Sequence, residues 1–282
     1  MAERIGDVGR IVDLLASASS IGVVGHVGPD GDALGAMVGL AASARAAGVE
    51  AVASFSEPFV VPEEMAYLDL SVLVPPTEFP TDLDVAIAVD TSVPDRVGSL
   101  RSAMEAAKTL VVVDHHLSDG AWGDAVLIDA NAAATTELVH EIVTELGWPI
   151  TEEVATALYT GIVTDTGRFQ YSNTTPTTHR ITAELLERGV ANDRIGQSLY
   201  EMVPFGYYAV AGAVLQRAVL DAERSFVWSV VTHEDVAAAG IGFHQTDGLI
   251  DLVRLADESD VACLLKVKGD GFVKGSLRSR GR

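Results

Sequence analysis

Short β-branched runs alternate with helical patterns through the first half of this chain, and that alternation leaves few folds open. The runs are "IGVVG" (21–25), "VEAVASF" (49–55), "DVAIAVD" (84–90), "TLVVVD" (109–114) and "AVLID" (125–129). Between the first two lies "DALGAMVGLAASARAAG" (32–48), whose alanines and closing Gly48 suit a helix with a glycine stop. The patterns predict further helices at 98–107, 134–146, 152–165 and 174–189, the last with Pro176 near its start and Gly189 at its end. Near-continuous apolar strands separated by helices are the signature of βαβ units, so the expected class is α/β, with a mostly parallel sheet covered on both faces.

The pattern changes after Gly189. "VANDRIGQSLYEMVPFG" reads as a connector. Beyond it come a helix at about 206–218, a strand "FVWSVVT" (226–232), a helix "TDGLIDLVRLAD" (246–257) and strands "VACLLKVKGD" (261–270) and "FVKGSLRS" (272–279). A chain of 282 residues is long enough for two domains. The expected division is 1–188, a linker at 189–205, and a smaller α+β domain at 206–282.

In open parallel sheets, ligands bind outside the carboxyl ends of the strands. Here those ends are unusually alike. Strand 21–25 runs into "HVGPDGD", presenting His26, Asp30 and Asp32; strand 84–89 runs into Asp90; strand 109–113 runs into Asp114, His115 and His116. Asp165 continues the helical stripe Val154, Leu158, Gly161 and Ile162. Each has a bland reading: "PDG" is turn chemistry, Asp32 caps the helix after it, Asp90 serves a turn, and His26 is a satisfied structural histidine. Taken together, the bland readings would gather several carboxylates at one sheet edge with nothing to neutralise them, which is costly. Cations are therefore expected.

Oxygen-rich sites with one or two imidazoles and no thiolate suit manganese or magnesium, less often iron or cobalt, and do not resemble a closed structural zinc site. More than four carboxylates exceed the needs of one ion. Two ions about 3.5–4 Å apart, bridged by a carboxylate, would use them all, and such pairs commonly serve phosphoester hydrolysis. Adjacent histidines rarely point the same way, so one of His115 and His116 is expected to ligate while the other faces substrate or supports from behind.

Charge narrows the partners. Nineteen basic against 40 acidic side chains give a net charge of -21, which argues against wrapping long duplex nucleic acid. Residues 266–282 run the other way, with Lys266, Lys268, Lys274, Arg278, Arg280 and Arg282 against Asp270 alone. That segment is either a solvated edge strand or an anion-binding one. Cys263 is the sole cysteine and sits in an apolar run, so no internal disulfide can form and a reducing compartment is the simplest reading. The N-terminus lacks a signal peptide's pattern and no later run approaches 18 apolar residues. A cytoplasmic protein without membrane contact is expected.

The motifs "HVGPDGD" (26–32), "AVDTS" (88–92), "DHH" (114–116) and "GIVTDTGRF" (161–169) resemble, in order and approximate separation, those of the DHH phosphoesterase superfamily. "SLRSRG" (276–281) resembles part of the DHHA1 substrate domain of that superfamily. The subgroup most similar in layout is the short bacterial nanoRNase and 3'-phosphoadenosine 5'-phosphate phosphatase type, which includes enzymes acting on cyclic di-AMP. The resemblance implies that His26, Asp30, Asp90 and Asp165 hold one metal and that Asp32, Asp90, His115 and Asp165 hold the other, with Asp90 bridging. It further implies two divalent ions, manganese foremost with magnesium or cobalt as alternatives. His116 would lie near the scissile phosphate, Asp114 would support the histidines, and Ser276, Arg278 and Ser279 would contact a small nucleotide or short RNA. A homodimer is implied by resemblance alone. The family's DHHA1 domain normally continues to a glycine-rich "GGGH" motif, whereas these residues end at Arg282, so a partial second domain is expected. A DHH-type inorganic pyrophosphatase and a catalytically silent nucleotide sensor are the rival readings. The first should carry a lysine-rich C-terminal signature in place of "SLRSRG", and the second should have lost a metal ligand.

Overall fold

Five of the strands in the first half are joined by parallel pairing, and their side chains alternate between two buried layers. The computed structural model describes residues 4–117, 122–269 and 271–280. In chain order the first elements are β1 (Ile5–Gly6), α1 (Val8–Ser17), β2 (Ser20–Val24), α2 (Gly31–Ala46), β3 (Glu50–Ser54) and β4 (Val85–Val89). They continue with α3 (Arg101–Glu105), β5 (Thr109–Asp114), β6 (Ala125–Ile128), α4 (Thr135–Glu145), α5 (Glu152–Asp165), α6 (Pro176–Glu187) and α7 (Asn192–Tyr200). Sheet order is β1-β6-β5-β4-β2-β3, parallel throughout except for the antiparallel edge strand β1.

Strand periodicity explains why both faces are apolar. Ile21 and Val23 of β2, Ile87 and Val89 of β4, and Val111 and Val113 of β5 pack with α2, α4 and α5. Val24, Ala86, Ala88, Leu110 and Val112 face a thinner layer formed by Phe79, Leu83, Val97, Leu100 and Met104. The α/β class expected from the alternation is therefore present, with α3 and a 3-10 segment at Pro94–Leu100 on the thin side. The predicted helix 98–107 is reduced to Arg101–Glu105, because Gly98 adopts a left-handed φ of 58° that interrupts it. The lack of a Cβ at this position also spares a collision with the Ser56 side chain.

Helices α2 and α5 pack against each other more extensively than any other helix pair of this layer. A Cβ on Gly35 would collide with the Ala157 carbonyl oxygen, and one on Gly161 would stand 2.7 Å from Asp32 Oδ1. Glycine at 35 lets the two backbones approach, and glycine at 161 leaves room for the Thr136 and Asp32 side chains.

The chain divides into two compact units, Met1–Leu199 and Tyr200–Arg282. The stretch expected as a connector carries α7, whose Ile195 is buried in the first unit's core with Leu199 packed against that core. The second unit contains α8 (Gly206–Gln216), β7 (Val219–Asp221), β8 (Phe226–Thr232), α9 (His233–Ala239), α10 (Leu249–Val253), β9 (Val261–Val267) and β10 (Val273–Ser279). Its sheet runs β10-β9-β8-β7, with β8 and β9 parallel and the outer pairs antiparallel. Val210 and Val214 of α8, Val236 of α9 and Leu249, Ile250 and Val253 of α10 share a core with Val227, Val231, Ala262 and Leu264 of one sheet face. The helix predicted over 246–257 shortens to Leu249–Val253, following a 3-10 turn at Phe243–Thr246. Asp270, Gly281 and Arg282 fall outside the described residues. Among the described residues, no helix is long and apolar enough to cross a membrane.

Candidate metal centre

The carboxyl ends of β2, β4 and β5 deliver their following residues to one edge, where the start of α2 and the end of α5 also arrive. Asp30 is the N-cap of α2, its Oδ1 accepting from the N–H groups of Asp32 and Ala33 at 3.1 Å each. The helix cap is therefore Asp30 and not Asp32, because the turn at "PDG" puts Asp30 just before the first helical residue. Asp32 instead lies in the first turn, 1% exposed, with its carboxylate aimed at a different helix.

That helix is α4. Its N-cap position is Ala134, which offers no side-chain oxygen, so its first N–H groups need partners from elsewhere. Asp32 supplies them: Thr135 N donates to Oδ2 at 2.6 Å, Thr136 N to Oδ1 at 3.0 Å, and the Thr136 hydroxyl to Oδ1 at 2.7 Å. The Thr135 hydroxyl donates to Asp90 Oδ1 at 2.9 Å. The positive end of a helix thus faces two acidic groups.

Asp90 is 2% exposed and holds a left-handed φ of 58°, unusual for a residue with a side chain. Its two oxygens face different imidazoles. Oδ2 lies 3.4 Å from His26 Nε2, while Oδ1 lies 3.7 Å from His115 Nε2 and 3.5 Å from His116 Nδ1. His115 Nε2 also stands 3.3 Å from Asp165 Oδ2 and 3.9 Å from Asp32 Oδ2, and His26 Nε2 stands 3.9 Å from Asp30 Oδ2. Three sets gather closely enough to share a cation: His26, Asp30 and Asp90; Asp32, His115 and Asp165; and Asp90, His115 and His116. Asp165 joins the second set and is absent from the first.

Tautomers are fixed from behind. His26 Nδ1 lies 3.1 Å from the Val27 carbonyl and His115 Nδ1 lies 3.4 Å from the Ala132 carbonyl, and a carbonyl can only accept. Each Nδ1 therefore carries the proton and each Nε2 turns a lone pair toward carboxylate oxygens. His115 Nε2 is buried without a hydrogen-bond partner. Lone pairs facing lone pairs require a positive charge among them, and an oxygen-rich set completed by imidazole fits a hard divalent cation.

The acid–base state of the cluster carries the same strain. Burial, followed by the charges of Asp90 and Asp165, pushes Asp32 well above the usual carboxylate range against the pull of its Thr136 bonds. Burial likewise pushes Asp165 up to about 6, with Asp30 and Asp90 adding to it and His115 opposing. Burial works to lower His26, but Asp90, the Val27 carbonyl and Asp30 outweigh it and raise the imidazole.

His116 differs from His115. Its Nδ1 lies 2.8 Å from Asp114 Oδ1, its backbone N–H donates to the same oxygen, and its side chain is 53% exposed. The Asp114 bond raises His116 to about 8. For Asp114 itself, burial acts upward but the His116 bonds prevail and hold it below the usual range. The bland alternatives for Asp90 and His26 do not describe these contacts, since both side chains point into the cluster.

Residues outside the sequence reading brace the site. Asn173 Nδ2 donates to the Ala133 carbonyl at 2.9 Å and to the Asp165 carbonyl at 3.1 Å, tying the loop before α4 to the end of α5. Glu137 Oε2 accepts from Ala133 N at 3.1 Å. A helix starting at "AATT" without a polar N-cap was the available sign that α4 borrows a carboxylate. Nothing local marks Asn173. Ser276, Arg278 and Ser279 all lie on β10 in the second unit, where Arg278 donates to the Leu277 carbonyl at 3.0 Å.

A doubly covered parallel sheet with a carboxylate–histidine cluster at its carboxyl edge defines a metal-dependent hydrolase class. Residues 20–162 match the DHH family, N-terminal domain, and the chain belongs to that family of phosphoesterases. It is 32% identical to the bifunctional oligoribonuclease and PAP phosphatase NrnA of Thermus thermophilus, over 95% of this chain and 78% of that protein. The probable bifunctional oligoribonuclease and PAP phosphatase NrnA of Streptococcus mutans is 30% identical, over 90% of this chain and 80% of its own length. Among solved structures, an exopolyphosphatase-related protein from Bacteroides fragilis superposes with a TM-score of 0.90 at 22% identity, covering 97% of this chain and 83% of that one.

Proposed function

We propose that this chain hydrolyses phosphoester bonds in short nucleotides. Oligoribonucleotides and 3'-phosphoadenosine 5'-phosphate are the leading substrates, and cyclic di-AMP is a third. The observation that carries this reading is Asp90, whose two oxygens face separate imidazoles, each backed by further carboxylates. The names of the Thermus and Streptococcus relatives support the substrate class.

In this reading His26, Asp30, Asp90 and Asp165 hold one divalent ion, and Asp32, Asp90, His115 and Asp165 hold another, with manganese preferred. When bound, such ions supply Lewis acidity toward phosphoryl oxygens and lower the pKa of water. The chain's own residues do the positioning. Val27 and Ala132 keep the His26 and His115 lone pairs turned inward. Thr135 and Thr136 fix Asp32 and Asp90 against rotation. Asp114 holds the Nδ1 side of His116, leaving a half-exposed ring to donate a proton to the leaving oxygen. Ser276, Arg278 and Ser279 contact the nucleotide, the guanidinium being suited to grip a phosphate with two parallel bonds.

The test is a hydrolysis panel with a diribonucleotide, a pentaribonucleotide, 3'-phosphoadenosine 5'-phosphate, cyclic di-AMP and pyrophosphate, with manganese and after chelation. At least one nucleotide should be turned over in preference to pyrophosphate, and only with metal. Asp90→Ala should lower turnover roughly 10³-fold or more, since Lewis-acid stabilisation is worth several kcal/mol. Preference for pyrophosphate, or near-normal manganese-dependent turnover by Asp90→Ala, overturns the reading.

A further inference from the structure

The two seats of the metal centre are built differently. In the set His26, Asp30 and Asp90, the first two ligands are steadied by their own neighbours. His26 Nδ1 faces the adjacent Val27 carbonyl, and Asp30 Oδ1 accepts from the N–H groups of Asp32 and Ala33. The set Asp32, His115 and Asp165 is drawn instead from the first turn of α2, the residue after β5 and the last residue of α5. Something remote must hold these three in register.

That role falls to the short turn at residues 132 and 133, just before α4. The Ala132 carbonyl stands 3.4 Å from His115 Nδ1, so the turn sets the imidazole from behind. Two side chains grip the turn. Glu137 reaches back from the first turn of α4, its Oε2 accepting from Ala133 N at 3.1 Å. Asn173 Nδ2 donates to the Ala133 carbonyl at 2.9 Å and to the Asp165 carbonyl at 3.1 Å. The final carbonyls of a helix have no partner inside it, so the second of these bonds closes α5 at the residue that carries the ligand.

Both grips are costly ones for a plain loop tie. Glu137 is 6% exposed, and burial pushes its carboxyl above the usual range against the Thr178 and Ala133 bonds and the charge of His115. Asn173 Oδ1 is buried without a protein partner. An apolar contact would tie the loop without either burden, but it would not aim the Ala132 and Asp165 backbone.

We propose that Asn173 and Glu137 are positioning residues for one cation of the pair, the one taken by Asp32, His115 and Asp165. The proposal rests on the reading of this centre as a two-ion site. Glu137 fixes the turn against α4, whose first N–H groups hold Asp32, and Asn173 fixes the same turn against the end of α5. Neither residue belongs to a ligand set. Of the residues assigned to the other ion, Asp165 alone is tied to Asn173, and that seat depends on the clamp far less.

The experiment titrates the full metal-free chain with manganese by calorimetry and follows the loaded chain by electron paramagnetic resonance. Two neighbouring manganese ions couple and give a spectrum unlike that of isolated ions. The variants are Asn173→Ala, Glu137→Met and Glu137→Gln. Wild type should take two ions and show the coupled spectrum. In Asn173→Ala and Glu137→Met one ion should bind about 10- to 100-fold more weakly while the other changes far less, and the coupled spectrum should give way to that of isolated ions. Glu137→Gln, whose amide oxygen can still accept from Ala133 N, should keep both affinities. Circular dichroism of the metal-free variants should match wild type. Equal weakening of both ions, or loss of the metal-free fold, overturns the proposal because either marks a general structural role. Unchanged binding of both ions in Asn173→Ala and Glu137→Met also overturns it and leaves the phosphoesterase reading standing. Loss of the ion in Glu137→Gln as in Glu137→Met removes the Ala133 bond from the account. A wild-type chain that takes a single ion overturns the two-ion reading and the proposal together.

Discussion

Asp32 receives three hydrogen bonds from the first turn of α4 while almost wholly buried, so its orientation is set before any cation arrives. Thr136→Val removes the hydroxyl bond and keeps the side chain's shape and the backbone N–H. Supporting bonds of this kind are worth about 10- to 100-fold in metal affinity. Calorimetric titration of the metal-free protein with manganese should therefore show a loss in that range, with little change in fold stability; undiminished affinity would count against a supporting role for Thr136. The candidate cluster was legible because strand ends in a parallel sheet converge, which brings His26, Asp90, Asp114, His115 and His116 together by topology alone. The supporting bonds were not legible. Thr136 lies 104 residues from Asp32 and Asn173 lies 40 from Ala133, and no local pattern announces contacts at such separations.

At the scale of elements, helix α9 illustrates a device that binary patterning overlooks. Thr232 caps it and Asp235 returns a bond to the Thr232 N–H at 2.8 Å, forming a capping box. Arg217, from just beyond α8, grips the same carboxylate with both terminal nitrogens. The Arg217 bond lowers Asp235 to about 2, with the Thr232 bonds assisting against burial. A carboxyl lowered in the folded state adds stability that is complete above its unfolded value, near 4, and is lost as pH falls through the folded value. Acid denaturation followed by circular dichroism should therefore show a loss of stability between about pH 4 and pH 2 that Asp235→Asn flattens. A variant that keeps the full slope in that window would remove Asp235 from the account. The same scale explains the uneven reading of elements. Long apolar strands and the alanine-rich α2 announced themselves, whereas α9 spans seven residues after an apolar strand, and Gly98 breaks a helix that the pattern alone would extend.

For the whole molecule, all candidate metal ligands among the described residues fall between His26 and Asp165, inside the first compact unit. Metal should therefore stabilise that unit selectively. At about 100 times the dissociation constant, a bound ion contributes roughly 2.7 kcal/mol. Differential scanning calorimetry with manganese and then with a chelator should move the transition belonging to Met1–Leu199 and leave that of Tyr200–Arg282 in place; equal movement of both would mean that the units unfold together. The change of pattern after Gly189 precedes the division between the two units, which falls after Leu199, because α7 is a polar helix whose buried Ile195 belongs to the first unit's core.

The paired glycines of α2 and α5 bear on the same centre from a different direction. A methyl group at position 161 would press on Asp32, and one at 35 would hold the two helices apart. These empty positions act as a caliper. They fix how far Asp30 and Asp32 on one rod stand from Asp165 on the other, and so the span that any shared cation would have to bridge.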